Sequence, residues 1–273
     1  MPYICRSARA DGEIKMDSIH WVSAARSDTG RKRKVNEDAI FVSDTQALWC
    51  VADGMGGHKR GDAASQLVAF TMGKLPPQQH LPDIVEEIDS GLQSAHKLLY
   101  RESSKDGQII GSTVVAAAAM DDLLAILWAG DSRAYLFRDG RSYALTRDHT
   151  QLETLIAQGE VLPEDVVGHP AGRVVTRAVG AAEDLVLDVE VVKVQIGDWV
   201  LLCSDGLGKH VRDDELIEFF SHPDEPDQVA DALLTTVLER GASDNISVVV
   251  MAAGKGEPRT GDLRSSISAQ AIS

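Results

Sequence analysis

The order in which short and long apolar segments follow one another limits this chain more than any other feature. Three short runs rich in β-branched and aromatic residues come first, at 19–25 (IHWVSAA), 39–43 (AIFVS) and 47–52 (ALWCVA), and each reads as a strand. Two helical segments follow. In 61–75, Ala64, Leu67, Val68 and Met72 recur at helical spacing until Pro76 and Pro77 stop the run; in 81–103, Ile84, Ile88, Leu92, Ala95 and Leu99 form one stripe. Strand-like runs return at 112–120, 123–130 and 133–140, the last closing on the hairpin signal Asp139-Gly140. Residues 149–159 read as a helix ending on Gly159, and 160–184 show no long periodicity. Segments 185–194 and 199–204 are strand-like, 213–220 and 226–241 are helices with acidic first turns, and 245–253 is a last buried strand. Strands and paired helices therefore come in blocks, without strict β-α-β alternation. That order predicts an α+β fold with largely antiparallel sheets.

A chain of 273 residues, 44% hydrophobic and 25% charged, can bury a large core without disulfides. Cys5, Cys50 and Cys203 are far apart and form no C-x-x-C pair, so neither a disulfide framework nor a zinc ribbon is expected. This usage fits a reducing compartment, and a cytoplasmic protein is the expectation. No apolar run reaches membrane-spanning length, and residues 1–15 lack the apolar centre of a secretory signal. Residues 1–18 read as a disordered extension, with Met16 as an alternative start, 19–253 as the folded domain, and the polar 254–273 as a disordered tail. A net charge of -15 argues against nucleic-acid or anionic-membrane partners. The basic run Arg31–Lys34 is an exception, and by itself reads as a solvated cluster.

Acidic residues cluster at the ends of the strand-like runs. Glu37 and Asp38 precede 39–43, Asp53 follows 47–52, Asp131 follows 123–130, Asp205 follows 199–204, and Asp244 precedes 245–253. One Asp-Gly or Asp-Ser pair is ordinary turn chemistry. Six carboxylates brought together would repel one another strongly. Hard divalent cations with oxygen ligands would relieve that repulsion, and the lack of Cys/His clusters points to magnesium or manganese over zinc. The glycine-rich VADGMGGH (51–58) has neither G-x-G-x-x-G nor the Lys-Ser/Thr of a P-loop, so a nucleotide cradle is not expected there.

Eight segments, in order, carry a resemblance: SDTGRKRKVNEDA (27–39), VADGMGGH (51–58), GST (111–113), AGDSRAYLFRDG (129–140), LTRDHT (145–150), HPAGRVVTRAVG (169–180), LLCSDGL (201–207) and SDNISVVV (243–250). The series resembles the metal-dependent serine/threonine protein phosphatases of type 2C, in their compact bacterial form, over roughly residues 20 to 252. The resemblance implies a β-sandwich of two antiparallel sheets flanked by helices on both faces (α-β-β-α layers), with a two-metal site at one end. It implies that Asp53 bridges two Mn2+ or Mg2+ ions, with the Gly54 carbonyl as a further ligand. By the same resemblance, Asp205 and Asp244 match the remaining ligands of one ion, Glu37 and Asp38 match the acidic pair beside the other, partly through water, and Asp131 matches a third, weaker site. Arg33 matches the arginine that holds substrate phosphate, which a guanidinium grips with two donors. The reaction implied is hydrolysis of phosphoserine and phosphothreonine in proteins by water activated between ions about 3.5–4 Å apart, with no phosphoenzyme.

The resemblance is incomplete at three positions. Met55 stands where eukaryotic relatives have a histidine proposed to protonate the leaving oxygen, and His58 nearby is not an established substitute. Arg173 stands where relatives often have asparagine, within the implied flap at 146–180 that influences substrate choice. The alternative reading is a non-catalytic phosphate-sensing or scaffold domain on the same fold, whose mark would be lost metal ligands; none of the six acids is lost. Cysteine-based phosphatases need C-x5-R, but Lys209 and Gly56 occupy the arginine position after Cys203 and Cys50, and the G-N-H-E of another metallophosphatase class is absent. Phosphorylated proteins, a serine/threonine kinase among them, are the implied partners, and a monomer is expected.

Overall fold

The computed structural model describes residues 19–56, 60–106, 108–162, 165–166, 168–221 and 225–255. The expectations for the extension 1–18, for His58, and for the tail beyond Lys255 lie outside these residues.

Two antiparallel sheets face each other. One has the order β1-β11-β10-β7-β8, built from β1 (Ile19–Asp28), β7 (Arg133–Arg138), β8 (Arg141–Ala144), β10 (Trp199–Cys203) and β11 (Ile246–Lys255). The other has the order β2-β3-β5-β6-β9, from β2 (Asp38–Ser43), β3 (Leu48–Gly56), β5 (Val114–Met120), β6 (Leu123–Ala129) and β9 (Asp188–Lys193), with the short β4 (Ile110–Ser112) paired to the end of β3. Helices α1 (Gly61–Met72) and α2 (Leu81–Asp106) cover the second sheet, and α5 (Asp213–Phe219) and α6 (Pro226–Glu239) cover the first. Two shorter helices, α3 (Gln151–Ala157) and α4 (Asp205–Gly208), lie in connections.

Because each sheet is covered on both faces, its central strands are apolar on both faces. Trp49 and Val51 of β3 pack between the sheets, while Leu48, Cys50 and Ala52 pack under α1 and α2. On β10, Val200 and Leu202 point inward and Leu201 and Cys203 face α5 and α6. Three apolar layers result. Each fully buried large side chain contributes roughly 1.5–3 kcal/mol relative to exposure. Trp49, wholly buried, still satisfies its indole N–H, which donates to Ser23 Oγ and Asp44 Oδ1 at 3.0 Å each.

Several boundaries differ from the sequence expectation, for local reasons. The strand read as 112–120 is split at Thr113, whose N–H donates to the Asp53 carbonyl at 2.9 Å. β3 continues through Asp53 to Gly56 because β4 pairs with Gly54, Met55 and Gly56, so Gly54 and Gly56 belong to a strand. The expected strand at 185–194 begins only at Asp188; Leu185 is tied to α2, its carbonyl accepting from Gln93 Nε2 at 3.0 Å. Gly254 and Lys255, read as tail, are the end of β11. The Asp139-Gly140 hairpin forms as expected, with φ of 51° and 69°.

Candidate metal centre

The end of the sandwich where β3, β6 and β10 finish and β2 and β11 begin collects the six acids. Asp38 opens β2 directly opposite Asp53 of β3 in the antiparallel register. Side chains so paired lie about 4.5–5.5 Å apart at Cβ, and like charges there repel. Asp131 follows Gly130 at the end of β6, Asp205 is the first residue of α4, and Asp244 sits two residues before β11.

Backbone contacts hold these carboxylates in place. The Asp53 N–H donates to Thr113 Oγ1 at 3.0 Å, and Thr113 Oγ1 is 2.8 Å from Ser132 Oγ, next to Asp131. Ser204 Oγ donates to Asp38 Oδ2 at 2.7 Å and accepts from Ser247 N–H at 2.9 Å, so it ties β10 and β11 to β2. Asn245 Oδ1 accepts from Glu37 N–H at 2.9 Å, while its amide donates to the carbonyls of Thr29 and Val35. The Glu37 carboxylate lies at the start of α1, where it accepts from the Gly61 N–H. Close approach explains two glycines. A Cβ on Gly54 would stand 2.0 Å from the Gly61 carbonyl oxygen, and one on Gly206 1.8 Å from that of Asn245.

The electrostatics are those of crowded, desolvated anions. Burial, then the charges of Asp38, Asp205 and Asp131, hold the Asp53 carboxyl well above the usual carboxylate range. Burial pushes Asp38 up to about 6 and Asp131 up to about 7, and it raises Asp205 and Glu37 as well. Asp244 moves the other way: burial works upward, but Arg33 and Lys209 outweigh it. Arg33 reaches Asp244 with two donors, Nε at 2.6 Å and Nη2 at 2.9 Å. The Lys209 ammonium bridges Asp244, at 2.6 Å, and Asp205.

Two buried carboxylate oxygens, Asp38 Oδ1 and Asp205 Oδ1, have no hydrogen-bond donor among the described residues. An orphaned buried anionic oxygen is costly, and a hard cation is the group it fits. The donors here are all oxygens, which suits magnesium or manganese. Among the described residues, no three acidic, histidine or cysteine side chains close into a complete ligand set. Such ions commonly keep several waters.

The six acids singled out from the sequence are therefore at this end, and so is Arg33, which lies half exposed on Asp244. Sequence reasoning missed Lys209, although Asp205 and Lys209 stand four apart, the spacing of an ion pair on a helix. It also missed the supports Ser204, Ser247 and Thr113. A cleft of about 440 Å³ runs from Asp131 and Asp205 to His169 and Arg173, so the centre opens toward the expected flap. Beside it, Arg133 grips Asp148 through two bonds of 2.8 Å. Cys203 is buried, its thiol pushed up to about 12 by burial, and Cys50 is buried and shifted further.

Known proteins are similar to this chain in sequence and fold. Residues 28–246 match the family described as Protein phosphatase 2C. The chain is 35% identical over 235 residues to the serine/threonine phosphatase stp of Listeria monocytogenes serotype 4b (strain F2365), covering 83% of this chain and 93% of that protein. The structure of PppA, described as a key regulatory component of T6SS in Pseudomonas aeruginosa, superposes with a TM-score of 0.80 at 40% identity, over 86% of this chain and 99% of that one. The catalytic domain of the phosphatase PstP in complex with two manganese ions superposes with a TM-score of 0.77 at 30% identity, over 87% of this chain and all (100%) of that one. With a family match across most of its length, and with relatives this similar in sequence and fold, the chain belongs to the protein phosphatase 2C family.

Proposed function

We propose that Asp38, Asp53, Asp205 and Asp244, with Glu37 and the Gly54 carbonyl, hold the two core ions, and that Asp131 holds a third, weaker one. As a member of its family, the enzyme is a metal-dependent protein serine/threonine phosphatase that uses Mn2+ or Mg2+. The observation that carries the assignment is the pair of orphaned oxygens on Asp38, at the start of β2 in one sheet, and on Asp205, in the α4 turn that follows β10 of the other. Ions bound there would acidify a water and offset charge on the phosphoryl group.

The chain's own residues do the rest. Asp53, opposite Asp38 in the register, would be the carboxylate that both ions share. Arg33 turns its two donors from Asp244 to the substrate phosphate, a fork-to-oxygens contact that lysine cannot copy. Serine and threonine contacts from Ser204, Ser247 and Thr113 keep the carboxylates from moving as charge develops, which is electrostatic preorganisation. Met55 cannot give a proton to the leaving oxygen, so that proton comes from water. The segment 146–180, with Arg173 on the cleft wall, selects among phosphoprotein substrates.

A serine/threonine kinase is among those substrates, and the enzyme works as a monomer in the cytoplasm. Support comes from the family's named serine/threonine phosphatases and from the low cysteine use of this sequence; no described helix is long and apolar enough to cross a membrane. The test is hydrolysis of a phosphothreonine peptide and of a phosphorylated kinase domain, with and without exhaustive chelation. Activity should vanish with the metal and return with added manganese. Full turnover at verified negligible metal would end the two-ion reading, and a kinase left phosphorylated by an enzyme active on peptide would end the partner assignment.

A further inference from the structure

The second sheet is not covered across its full width. α1 lies over β2 and β3, and α2 over β5 and β6. Beyond α2, the outer face of β9 is open. There α2, β6, β9 and the segment leading into β9 enclose a groove of about 700 Å³. Its floor and far wall are apolar and exposed: Val186 is 59% accessible, Val189 45%, Val191 50% and Leu123 38%. Large apolar side chains gathered in this way mark a contact surface. The groove is distinct from the metal centre, since Leu123 lies at the end of β6 opposite Asp131.

The α2 wall differs in character. Pro82, Glu86, Asp89 and Gln93 follow at spacings of four, three and four, so they share one face of the helix, and all four line the groove. Neither Glu86 nor Asp89 pairs with a cation among the described residues, and the groove lining has no lysine or arginine. Asp89 meets only the neutral Gln93 amide, at 3.2 Å.

We propose that this groove receives an amphipathic helix of a partner protein. Its apolar face would lie on Val186, Val189 and Val191, and lysines or arginines along one flank would meet Glu86 and Asp89. A helix is the element that continues this layer, because the neighbouring cover of the same sheet face is helical. A second copy of this chain fits poorly. A two-fold contact would set the same uncompensated carboxylates against each other, on a chain of net charge -15.

The test uses the full chain and a fluorescein-labelled synthetic helix of about 18 residues, leucine on one face and lysine along one flank. A twin carries glutamate in place of lysine. Fluorescence anisotropy should show saturable binding of the lysine helix, on the order of tenfold tighter than the twin. Val189→Asp with Val191→Asp, and separately Glu86→Lys with Asp89→Lys, should each weaken it by a similar factor, and the charge-reversed variant should now prefer the glutamate twin. Both variants should hydrolyse p-nitrophenyl phosphate at the normal rate, which shows them folded. Absence of saturable binding, binding indifferent to the charge-reversed variant, or a concentration-dependent dimer of the chain that Val189→Asp abolishes would each overturn the proposal.

Discussion

Replacing Asp38 by asparagine should stabilise the metal-free protein while disabling the enzyme. Burial pushes the Asp38 carboxyl up to about 6 from an ordinary 3.8. At about 1.4 kcal/mol per pH unit, keeping it ionised in the folded chain at pH 7.5 costs about 3 kcal/mol. Asparagine removes that charge with almost no change of shape. Its carbonyl can still accept from Ser204 Oγ, as Asp38 Oδ2 does at 2.7 Å. Its amide replaces the orphaned Oδ1 and turns a donor toward the other carboxylates. Repacking takes back part of the gain, so about 1–3 kcal/mol remains. For a domain of this size that is about 3–10 °C in Tm. Thermal and urea unfolding in EDTA at pH 7.5 measure the gain; calorimetric manganese titration and turnover of a phosphothreonine peptide measure the loss. Metal affinity should fall and activity drop by more than tenfold, a trade of function for stability. If Asp38→Asn destabilised the chelated protein by 1 kcal/mol or more, or left manganese affinity unchanged, the picture of a strained anionic centre awaiting cations would be refuted.

The same electrostatics predict a pH dependence. Asp38 and Asp131 have raised values in the folded state, about 6 and about 7, so the folded chain holds protons there that the unfolded chain has released. Stability of the chelated protein should therefore fall as pH rises from about 4 to 7 and level off above; saturating manganese should flatten that slope, and an EDTA curve that rises instead would count against it. Asp53→Ala should lose tight metal binding and turnover together, whereas Asp131→Ala should keep the core pair and lose mainly rate; manganese titration beside steady-state kinetics separates them, and the reverse pattern would exchange their roles. Arg33→Ala should leave metal binding no weaker and raise KM for phosphate monoesters about tenfold to a hundredfold, the worth of a charge-assisted contact; unchanged kinetics would return the basic run to a surface cluster. Cys203→Ser should fold and keep most of its activity, because the buried thiol is pushed far from the thiolate state; a folded, inactive variant would point to a thiol nucleophile.

What sequence alone determined is considerable. Periodicity placed most strands and helices, because a 2.0 or 3.6 repeat is written locally and survives without tertiary context. The block order of those elements pointed to antiparallel sheets. The run of motifs identified the family and nominated eight candidate site residues, because carboxylates at strand ends are visible wherever the strands are. Tertiary structure decided what depends on partners far away in the chain. Nothing near Gly54 says that β3 continues; β4, more than fifty residues later, supplies the pairing that makes it a strand. Nothing around residue 38 says that its carboxylate is paired with Ser204, or that one oxygen is left without a donor, since both facts arise where the two sheets meet. Arg33 and Lys209 lie 176 positions apart in sequence, yet both reach Asp244, and only the folded chain could show that this carboxylate is held by two cations while its neighbours are not. Local pattern encodes which groups can do chemistry. Their charge state, burial and mutual distance are properties of surfaces brought together by folding, so they are decided only there.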